Sequence, residues 1–205
     1  MPTWKGPAHP AAADGGPPPP ALFVDRDGVV IADRDYLADP DGVALLPGVA
    51  AALARARAEG WLLIGVTNQS GIGRGYFGEA EFSAVMERIE ADLAAAGARF
   101  DAFYYCPHGP ADDCPCRKPR PGLLREAARD LTWDPARSWV VGDKASDVAL
   151  GRDAGLGGVL VRTGYGRGQE EAVRTRWAGD DRVFVADDLA AAVDRILAAT
   201  PGGEA

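Results

Sequence analysis

The chain has 205 residues, of which 47% are hydrophobic and 25% are charged, and its formal net charge is −8. This composition is typical of a single globular domain with a sizeable core. The negative charge disfavours nonspecific binding to nucleic acid, because such binding depends on clustered lysine and arginine side chains. No uninterrupted run of about 18 apolar residues is present, and the N-terminal residues lack the basic-then-apolar order of a secretory signal. We therefore expect a soluble cytoplasmic protein that binds neither membranes nor nucleic acid.

Both ends of the chain differ in composition from the middle. Residues 1–20 are rich in proline, alanine and glycine. Such a segment buries too little apolar surface to offset the entropy of ordering, so we predict a disordered tail over 1–20. Residues 199–205 read as a frayed C-terminus. One domain is thus predicted over 21–198.

Apolar, strand-like runs alternate with helical patterns throughout this domain. Strands are predicted at 21–24, 61–66, 103–105, 139–141, 159–161 and 183–185, and helices at 49–58, 79–96, 122–130, 145–154 and 189–197. The alternation predicts an α/β fold, a doubly wound, Rossmann-like parallel sheet with helices on both faces. Ligands bind beyond the carboxyl ends of the strands in such sheets, and polar motifs occur at those ends.

Two carboxylates, Asp25 and Asp27, directly follow the first predicted strand. Their like charges repel unless a cation lies between them or one carboxyl keeps its proton. Mg²⁺ would resolve the conflict, because it prefers oxygen ligands together with water and a substrate phosphate. Gly28 would let backbone N–H groups approach an anion closely. The alternative is an ordinary turn, in which Asp and Gly are common.

The next two motifs carry groups that suit phosphate. Thr67 and Asn68 close the second strand, where a hydroxyl and backbone amides could bind a phosphate oxygen or simply cap a helix. Arg117 and Lys118 lie in a basic stretch just before the helix predicted at 122–130. Helix N-termini attract anions, and Lys118 could neutralise a transferring phosphoryl group. A solvated basic loop is the alternative for this stretch.

A further acidic motif follows the strand predicted at 139–141. Asp143 ends that strand, Lys144 comes next, and Asp147 lies one helical turn further on. Asp143 could complete a metal site, with Asp147 orienting its ligands. The alternative is a helix N-terminus that merely carries acidic residues. Four strand ends with acids, hydroxyls and a lysine are together unlikely to be accidental, which favours a phosphate-processing site.

All three cysteines and one of the two histidines fall within eleven residues, at Cys106, His108, Cys114 and Cys116. Four nitrogen and sulfur ligands at this spacing can surround Zn²⁺ with no open position, which is typical of a structural zinc site. A redox pair or chance clustering are the alternatives. A bound zinc would stiffen the loop and aim Arg117 and Lys118 at the phosphate.

The order of these motifs resembles that of the haloacid dehalogenase superfamily of phosphatases, over about residues 21–163. The matching residues are Asp25-Arg26-Asp27-Gly28, Thr67-Asn68, Lys118, Gly142-Asp143-Lys144 and Asp147. By this resemblance Asp25 is the nucleophile that forms an aspartyl-phosphate, and Asp27 is the acid and base. Mg²⁺ is implied between the carboxylates of Asp25 and Asp143 and the carbonyl of Asp27.

The resemblance also implies which groups contact the substrate. Lys118 is expected to assist catalysis by holding the phosphoryl oxygens. The other expected substrate- or phosphate-binding residues are Arg26, Gly28, Thr67, Asn68, Arg74, Arg117 and Lys144.

The substrate is expected to be a small phosphorylated metabolite, and the protein a monomer. Only about forty residues separate the first two strands, so no large cap domain fits, and the loops at 30–37 and 70–76 and the zinc loop must select the substrate. These loops resemble the D-glycero-D-manno-heptose 1,7-bisphosphate 7-phosphatase family, and Arg74 could reach a second phosphate. Residues 110–114 instead resemble the histidinol-phosphatase domain, which remains the alternative. A non-enzymatic zinc knuckle is a weaker one.

Overall fold

A seven-stranded sheet forms the centre of the protein in a computed structural model that describes residues 3–4 and 16–200. The strands are β1 (Thr3–Trp4), β2 (Ala21–Val24), β3 (Leu62–Asn68), β4 (Ala102–Cys106), β5 (Trp139–Gly142), β6 (Gly157–Val161) and β7 (Val183–Ala186). Their order across the sheet is β1-β4-β3-β2-β5-β6-β7. Strands β2 to β7 pair in parallel, and β1 pairs antiparallel with β4. The predicted parallel α/β fold is confirmed.

Helices cover both faces of the sheet. They are α1 (Val49–Ala58), α2 (Ser70–Gly73), α3 (Glu79–Ala94), α4 (Gly122–Asp130), α5 (Ala145–Asp153), α6 (Gly166–Arg176) and α7 (Leu189–Ala199), with short 3-10 helices at Pro40–Gly42 and Pro135–Arg137. Only α1 and one 3-10 helix lie between β2 and β3, so no cap domain is inserted there. Among residues 3–4 and 16–200, no helix is both long and apolar enough to span a bilayer.

The core has two halves because side chains alternate across each strand. Leu22 and Val24 of β2 pack on the face that carries α1, α3 and α7. Ala21 and Phe23 pack on the other face, against α4 and α5. A strand buried on both faces reads as a continuous apolar run, which is why the sequence reveals β2 without an alternating pattern.

Three elements escape the sequence prediction. α2 is one short turn, and β1 has only two residues. α6 is almost wholly polar and buries only Gly166 and Val173, so it offers no apolar period to detect. In addition, β3 extends further than predicted, since Thr67 and Asn68 still belong to the sheet.

Parts of the proline-rich start contact the folded domain, and the predicted disordered tail over 1–20 stays a prediction. Thr3 and Trp4 pair with Tyr104 and Phe103 of β4. Further on, the Pro19 carbonyl accepts from the Asp134 N–H at 2.9 Å. Backbone hydrogen bonds order these prolines even though the composition is typical of disorder. Residues 1–2, 5–15 and 201–205 lie outside the described residues, so the rest of both predicted ends stays untested.

Candidate active site

The carboxyl ends of β2, β3 and β5 meet beside the loop that precedes α4, and a cavity of about 280 Å³ opens there. Its walls include Asp25, Asp27, Thr67 and Lys118. Parallel strands bring their carboxyl ends to the same edge, which explains why residues more than ninety positions apart converge. The structure thus brings together most of the predicted site residues.

Lys118 is the buried cation at the floor of this cavity. Its Nζ lies 3.0 Å from Asp25 Oδ2 and 2.7 Å from Asp147 Oδ1, and it donates to the Val66 carbonyl at 2.8 Å. Burial alone would lower the pKa of Lys118, but the charges of Asp147 and Asp25 outweigh it and hold that pKa above its usual value. Lys118 is therefore a fixed positive charge next to Asp25.

Asn68 determines where Lys118 lies. Its Oδ1 accepts from the Lys118 backbone N–H at 3.0 Å, and its Nδ2 donates to the Lys118 carbonyl at 3.4 Å. Both ends of the amide are thereby used. The side chain of Asn68 thus positions Lys118, and its expected contact with the phosphate stays a prediction.

Three buried carboxylates, Asp25, Asp143 and Asp147, place one oxygen each within 4.8 Å of one another. Burial and the charge of Asp25 raise the pKa of Asp143 to about 7. Asp143 Oδ2 accepts from the Tyr165 N–H at 2.9 Å, whereas buried Oδ1 has no hydrogen-bond partner within the described part of the chain. A buried carboxylate oxygen that accepts no hydrogen bond, close to the carboxylate of Asp25, suits a divalent cation with oxygen ligands, so the site fits Mg²⁺.

The side chain of Asp27 is held from the protein side by Arg26 and Gln69. Arg26 Nη2 and Gln69 Nε2 donate to Asp27 Oδ2 at 2.9 and 2.8 Å. The Arg26 side chain is 1% exposed and its guanidinium orients Asp27, while the expected contact of Arg26 with phosphate stays a prediction. Our sequence prediction gave Gln69 no role. Its place two residues after Thr67, at the end of a buried strand, is the signal that could have revealed it.

Gly28 also serves a purpose that differs from the predicted one. Its N–H donates to the Ile31 carbonyl at 2.8 Å and is not free for an anion. Its φ is +75°, and a Cβ there would lie 2.5 Å from Asp143 Oδ2 and 2.9 Å from Gly164 Cα. Only glycine lets the β2 loop approach Asp143 so closely. Gly28 thus packs closely around Asp143, and its expected role in phosphate binding stays a prediction.

The cations at the rim differ from those expected. Arg117 and Lys144 line the cavity, as predicted, whereas Arg74 is exposed and lies outside its lining. Arg117 Nη1 donates to the His108 carbonyl at 3.3 Å, which ties this cation to the cysteine loop. Lys144 Nζ lies 3.6 Å from Asp143 Oδ1 and 4.5 Å from the centre of the Tyr165 ring.

The cysteine and histidine ligands predicted for zinc converge in a second cluster. The sulfur of Cys116 lies 3.2 Å from that of Cys106, 3.5 Å from that of Cys114 and 3.2 Å from His108 Nδ1. The three cysteines are free thiols, and one donor atom of each residue lies within 4.8 Å of the others. Zn–S bonds of about 2.3 Å in a tetrahedron separate sulfurs by roughly 3.8 Å, so this donor set fits Zn²⁺.

Comparison with known proteins agrees with this geometry. Residues 115–192 match the family described as "HAD-hyrolase-like". The chain is 43% identical over 151 residues to D-glycero-beta-D-manno-heptose-1,7-bisphosphate 7-phosphatase of Pasteurella multocida, covering 70% of this chain and 82% of that protein. It is 39% identical over 183 residues to the protein of the same name from Bordetella bronchiseptica, covering 86% and 97%.

Solved structures give the same result. The crystal structure of D,D-heptose 1,7-bisphosphate phosphatase from B. bronchiseptica, complexed with magnesium and phosphate, superposes with a TM-score of 0.80 at 37% identity, covering 88% of this chain and 99% of that one. The corresponding structure from Burkholderia thailandensis gives a TM-score of 0.66 at 31% identity, covering 87% and 98%. The fold and the carboxylate–lysine cluster define a phosphatase of the haloacid dehalogenase type. Within that class, the chain belongs to the family of the heptose 1,7-bisphosphate 7-phosphatases.

Proposed function

We propose that this protein is a Mg²⁺-dependent phosphatase that converts D-glycero-β-D-manno-heptose 1,7-bisphosphate to heptose 1-phosphate. The observation that carries the proposal is the contact of Lys118 with both Asp25 and Asp147, beside an oxygen of Asp143 that accepts no hydrogen bond within the described part of the chain. Such a cluster offers one nucleophile, one fixed cation and a metal site in a single cavity. The names of the relatives supply the substrate.

In this proposal Asp25 attacks the phosphorus of the 7-phosphate. A bond forms between an Asp25 carboxylate oxygen and phosphorus while the bond from phosphorus to the sugar oxygen breaks. Asp27 gives its proton to the leaving sugar oxygen. Asp27 then takes a proton from water, which attacks phosphorus and releases Asp25 and inorganic phosphate. Lys118 and the Thr67 hydroxyl stabilise the charge on the phosphoryl oxygens throughout.

Mg²⁺ would be held by the carboxylates of Asp25 and Asp143 and by the backbone carbonyl of Asp27. When bound, it supplies positive charge that neutralises the phosphoryl group and offsets the repulsion among the carboxylates. Asp147 accepts from the Lys144 N–H at 3.0 Å and contacts Lys118, which supports its role as an orienting residue rather than a ligand. A relative that is 37% identical was crystallised with magnesium and phosphate, which supports the proposal that this protein uses Mg²⁺.

The second phosphate of the substrate would contact Arg117 and Lys144. Both cations line the cavity wall around the carboxylates, whereas Arg74 lies outside that wall. A guanidinium can bind a phosphate through two parallel N–H bonds, so Arg117 suits this role best. We therefore transfer the second-phosphate role from Arg74 to Arg117.

We further propose that Cys106, His108, Cys114 and Cys116 bind one structural zinc. The zinc would hold the loop that carries Arg117 and Lys118. Replacement Cys106→Ser is expected to lower the zinc content from about one equivalent per chain to near zero and to reduce activity with it. A fully active protein that contains no zinc would refute this assignment.

A thiol-rich zinc loop suits a reducing compartment, which supports a cytoplasmic location for the enzyme.

Phosphate release tests the function directly. With Mg²⁺ present, we expect turnover of the heptose bisphosphate at a kcat/KM well above that of histidinol phosphate. A tenfold preference for histidinol phosphate would overturn the substrate assignment. Asp25→Asn is expected to abolish turnover, whereas Asp194→Asn, which changes an exposed carboxylate paired with Arg55 on the far helices, is the matched control. Activity that survives Asp25→Asn would refute the nucleophile.

A further inference from the structure

A buried network links Asp27 to Thr67 through Gln69. Gln69 Nε2 donates to Asp27 Oδ2 at 2.8 Å and to Thr67 Oγ1 at 2.9 Å, while its Oε1 accepts from Arg26 Nη2 at 2.9 Å. Gln69 is 4% exposed and Thr67 is 1% exposed. Both N–H groups and the oxygen of this amide are therefore used within the protein.

The two carboxylate oxygens of Asp27 accept different hydrogen bonds from this network. Oδ2 accepts from Gln69 Nε2 and from Arg26 Nη2 at 2.9 Å. Oδ1 accepts from Arg26 Nε at 3.1 Å, and the same N–H also lies 3.2 Å from Oδ2. An oxygen that already accepts two strong hydrogen bonds is a poor site for a proton. A proton on Asp27 therefore belongs on Oδ1.

The same amide orients the hydroxyl of Thr67. Because Thr67 Oγ1 accepts from Gln69 Nε2, its own hydrogen points away from the amide. That hydrogen can then donate to a phosphoryl oxygen in the cavity that Thr67 lines. One side chain thus orders both a proton carrier and a phosphate donor.

We propose that Gln69 is a positioning residue that holds Oδ2 of Asp27 so that Oδ1 carries the proton transferred to the leaving group. This inference rests on the proposed function, in which Asp27 is the acid and base. Arg26 also helps to hold the side chains of Asp27 and Gln69 in place. Its guanidinium lies 5.5 Å from the centre of the Phe82 ring and forms an ion pair with Asp27. Its Nη1 has no hydrogen-bond partner among the described residues, so Asp27 and Gln69 take the remaining donors.

Substrates with different leaving groups separate this role from a merely structural one. A sugar alkoxide needs a proton as it leaves, whereas p-nitrophenolate does not. Gln69→Leu keeps a similar volume but removes the donor to Asp27. We expect kcat on the heptose bisphosphate to fall 10- to 100-fold, roughly the lower part of the range for acid–base catalysis, while the initial burst of p-nitrophenolate from p-nitrophenyl phosphate changes less than about threefold.

Gln69→Glu gives a second readout. The carboxylate introduced by this change still accepts from Arg26 but has no N–H to donate to Asp27 Oδ2 or to Thr67 Oγ1. We expect the same selective loss, with kcat on the heptose bisphosphate reduced and the p-nitrophenolate burst changed less than about threefold. Gln169→Leu changes the only other glutamine of the chain, which lies on α6, and is the matched control.

The experiment measures kcat and KM on both substrates and the p-nitrophenolate burst for the wild type and these three variants, with folding checked by circular dichroism. A wild type inactive on the heptose bisphosphate would refute the proposed function, independently of Gln69. An active wild type with equal losses on both substrates in Gln69→Leu or in Gln69→Glu would overturn the positioning role. Should Gln69→Leu fail to fold, the comparison of the two substrates in Gln69→Glu alone decides.

Discussion

Replacement Asp143→Asn should stabilise the protein when magnesium is absent. Asp143 is fully buried, and its Oδ1 lacks a hydrogen-bond partner among residues 3–4 and 16–200. Burial and the charge of Asp25 raise its pKa from 3.8 to about 7. The folded state therefore binds a proton that the unfolded state has released between these pH values, so stability falls as the pH rises from about 4 to 7 and is then level.

The magnitude follows from the two pKa values. A rise from 3.8 to about 7 corresponds to an upper limit of about 4 kcal/mol at pH 8. Structural relaxation around the buried charge makes the actual destabilisation smaller than this limit. We therefore expect Asp143→Asn to be about 2–4 kcal/mol more stable than the wild type at pH 8. The asparagine oxygen can still accept from the Tyr165 N–H. The difference should shrink by up to about 1.4 kcal/mol for each pH unit below 7.

Urea unfolding in magnesium-free buffer between pH 5 and 9 measures this difference, with the zinc content of both proteins matched. Adding Mg²⁺ should narrow this difference, because a ligand at 100 times its Kd stabilises the wild type by about 2.7 kcal/mol and should bind the variant far more weakly. If the metal-free variant is no more stable than the wild type at pH 8, Asp143 does not destabilise the metal-free protein and this reasoning fails. A stability difference that does not change with pH would refute it as well.

Three further changes test other parts of the structure. Gly28→Ala should destabilise by about 1–3 kcal/mol more than Gly60→Ala in thermal unfolding, because both glycines have positive φ but only Gly28 lacks space for a Cβ; equal losses would contradict the crowding. Burial raises the pKa of Glu90 to about 7, so Glu90→Gln should add about 1–2 kcal/mol at pH 8 and nearly nothing at pH 5; a pH-independent gain would count against it. Asp27→Asn should cost about 2–4 kcal/mol of unfolding free energy, because Arg26 then keeps a buried charge without its partner, and an unchanged urea midpoint would argue otherwise.

Local patterns predicted the sheet and the main helices because each of them buries a recognisable apolar run. α3 buries Phe82, Val85, Met86, Ile89 and Leu93, and this spacing is visible in the sequence. The same reasoning failed for α6, whose burial of Val173 leaves no period, and for β1, which is too short to show one. Tertiary contacts stabilise these two elements, and such contacts leave no periodic trace.

The sequence by itself determined which chemistry is possible. Acids and a cation follow the apolar strands, at Asp25, Asp27, Lys118 and Asp143. They must meet at one edge of a parallel sheet, because the carboxyl ends of its strands lie at the same edge for any loop conformation. The spacing of Cys106, His108, Cys114 and Cys116, the residues proposed to bind zinc, is equally local. These inferences did not depend on side-chain conformations.

Only the tertiary structure decided how each side chain is used. An arginine, a glycine and an asparagine are all residue types that can bind phosphate. In the structure, however, Arg26 is buried against Asp27, Gly28 packs on Asp143 and Asn68 holds the backbone of Lys118. Gln69 joins Asp27 to Thr67 from another strand end. Hydrogen-bonding capacity belongs to the residue type, but the partner depends on which groups the fold brings within about 3 Å, and the sequence does not contain that distance.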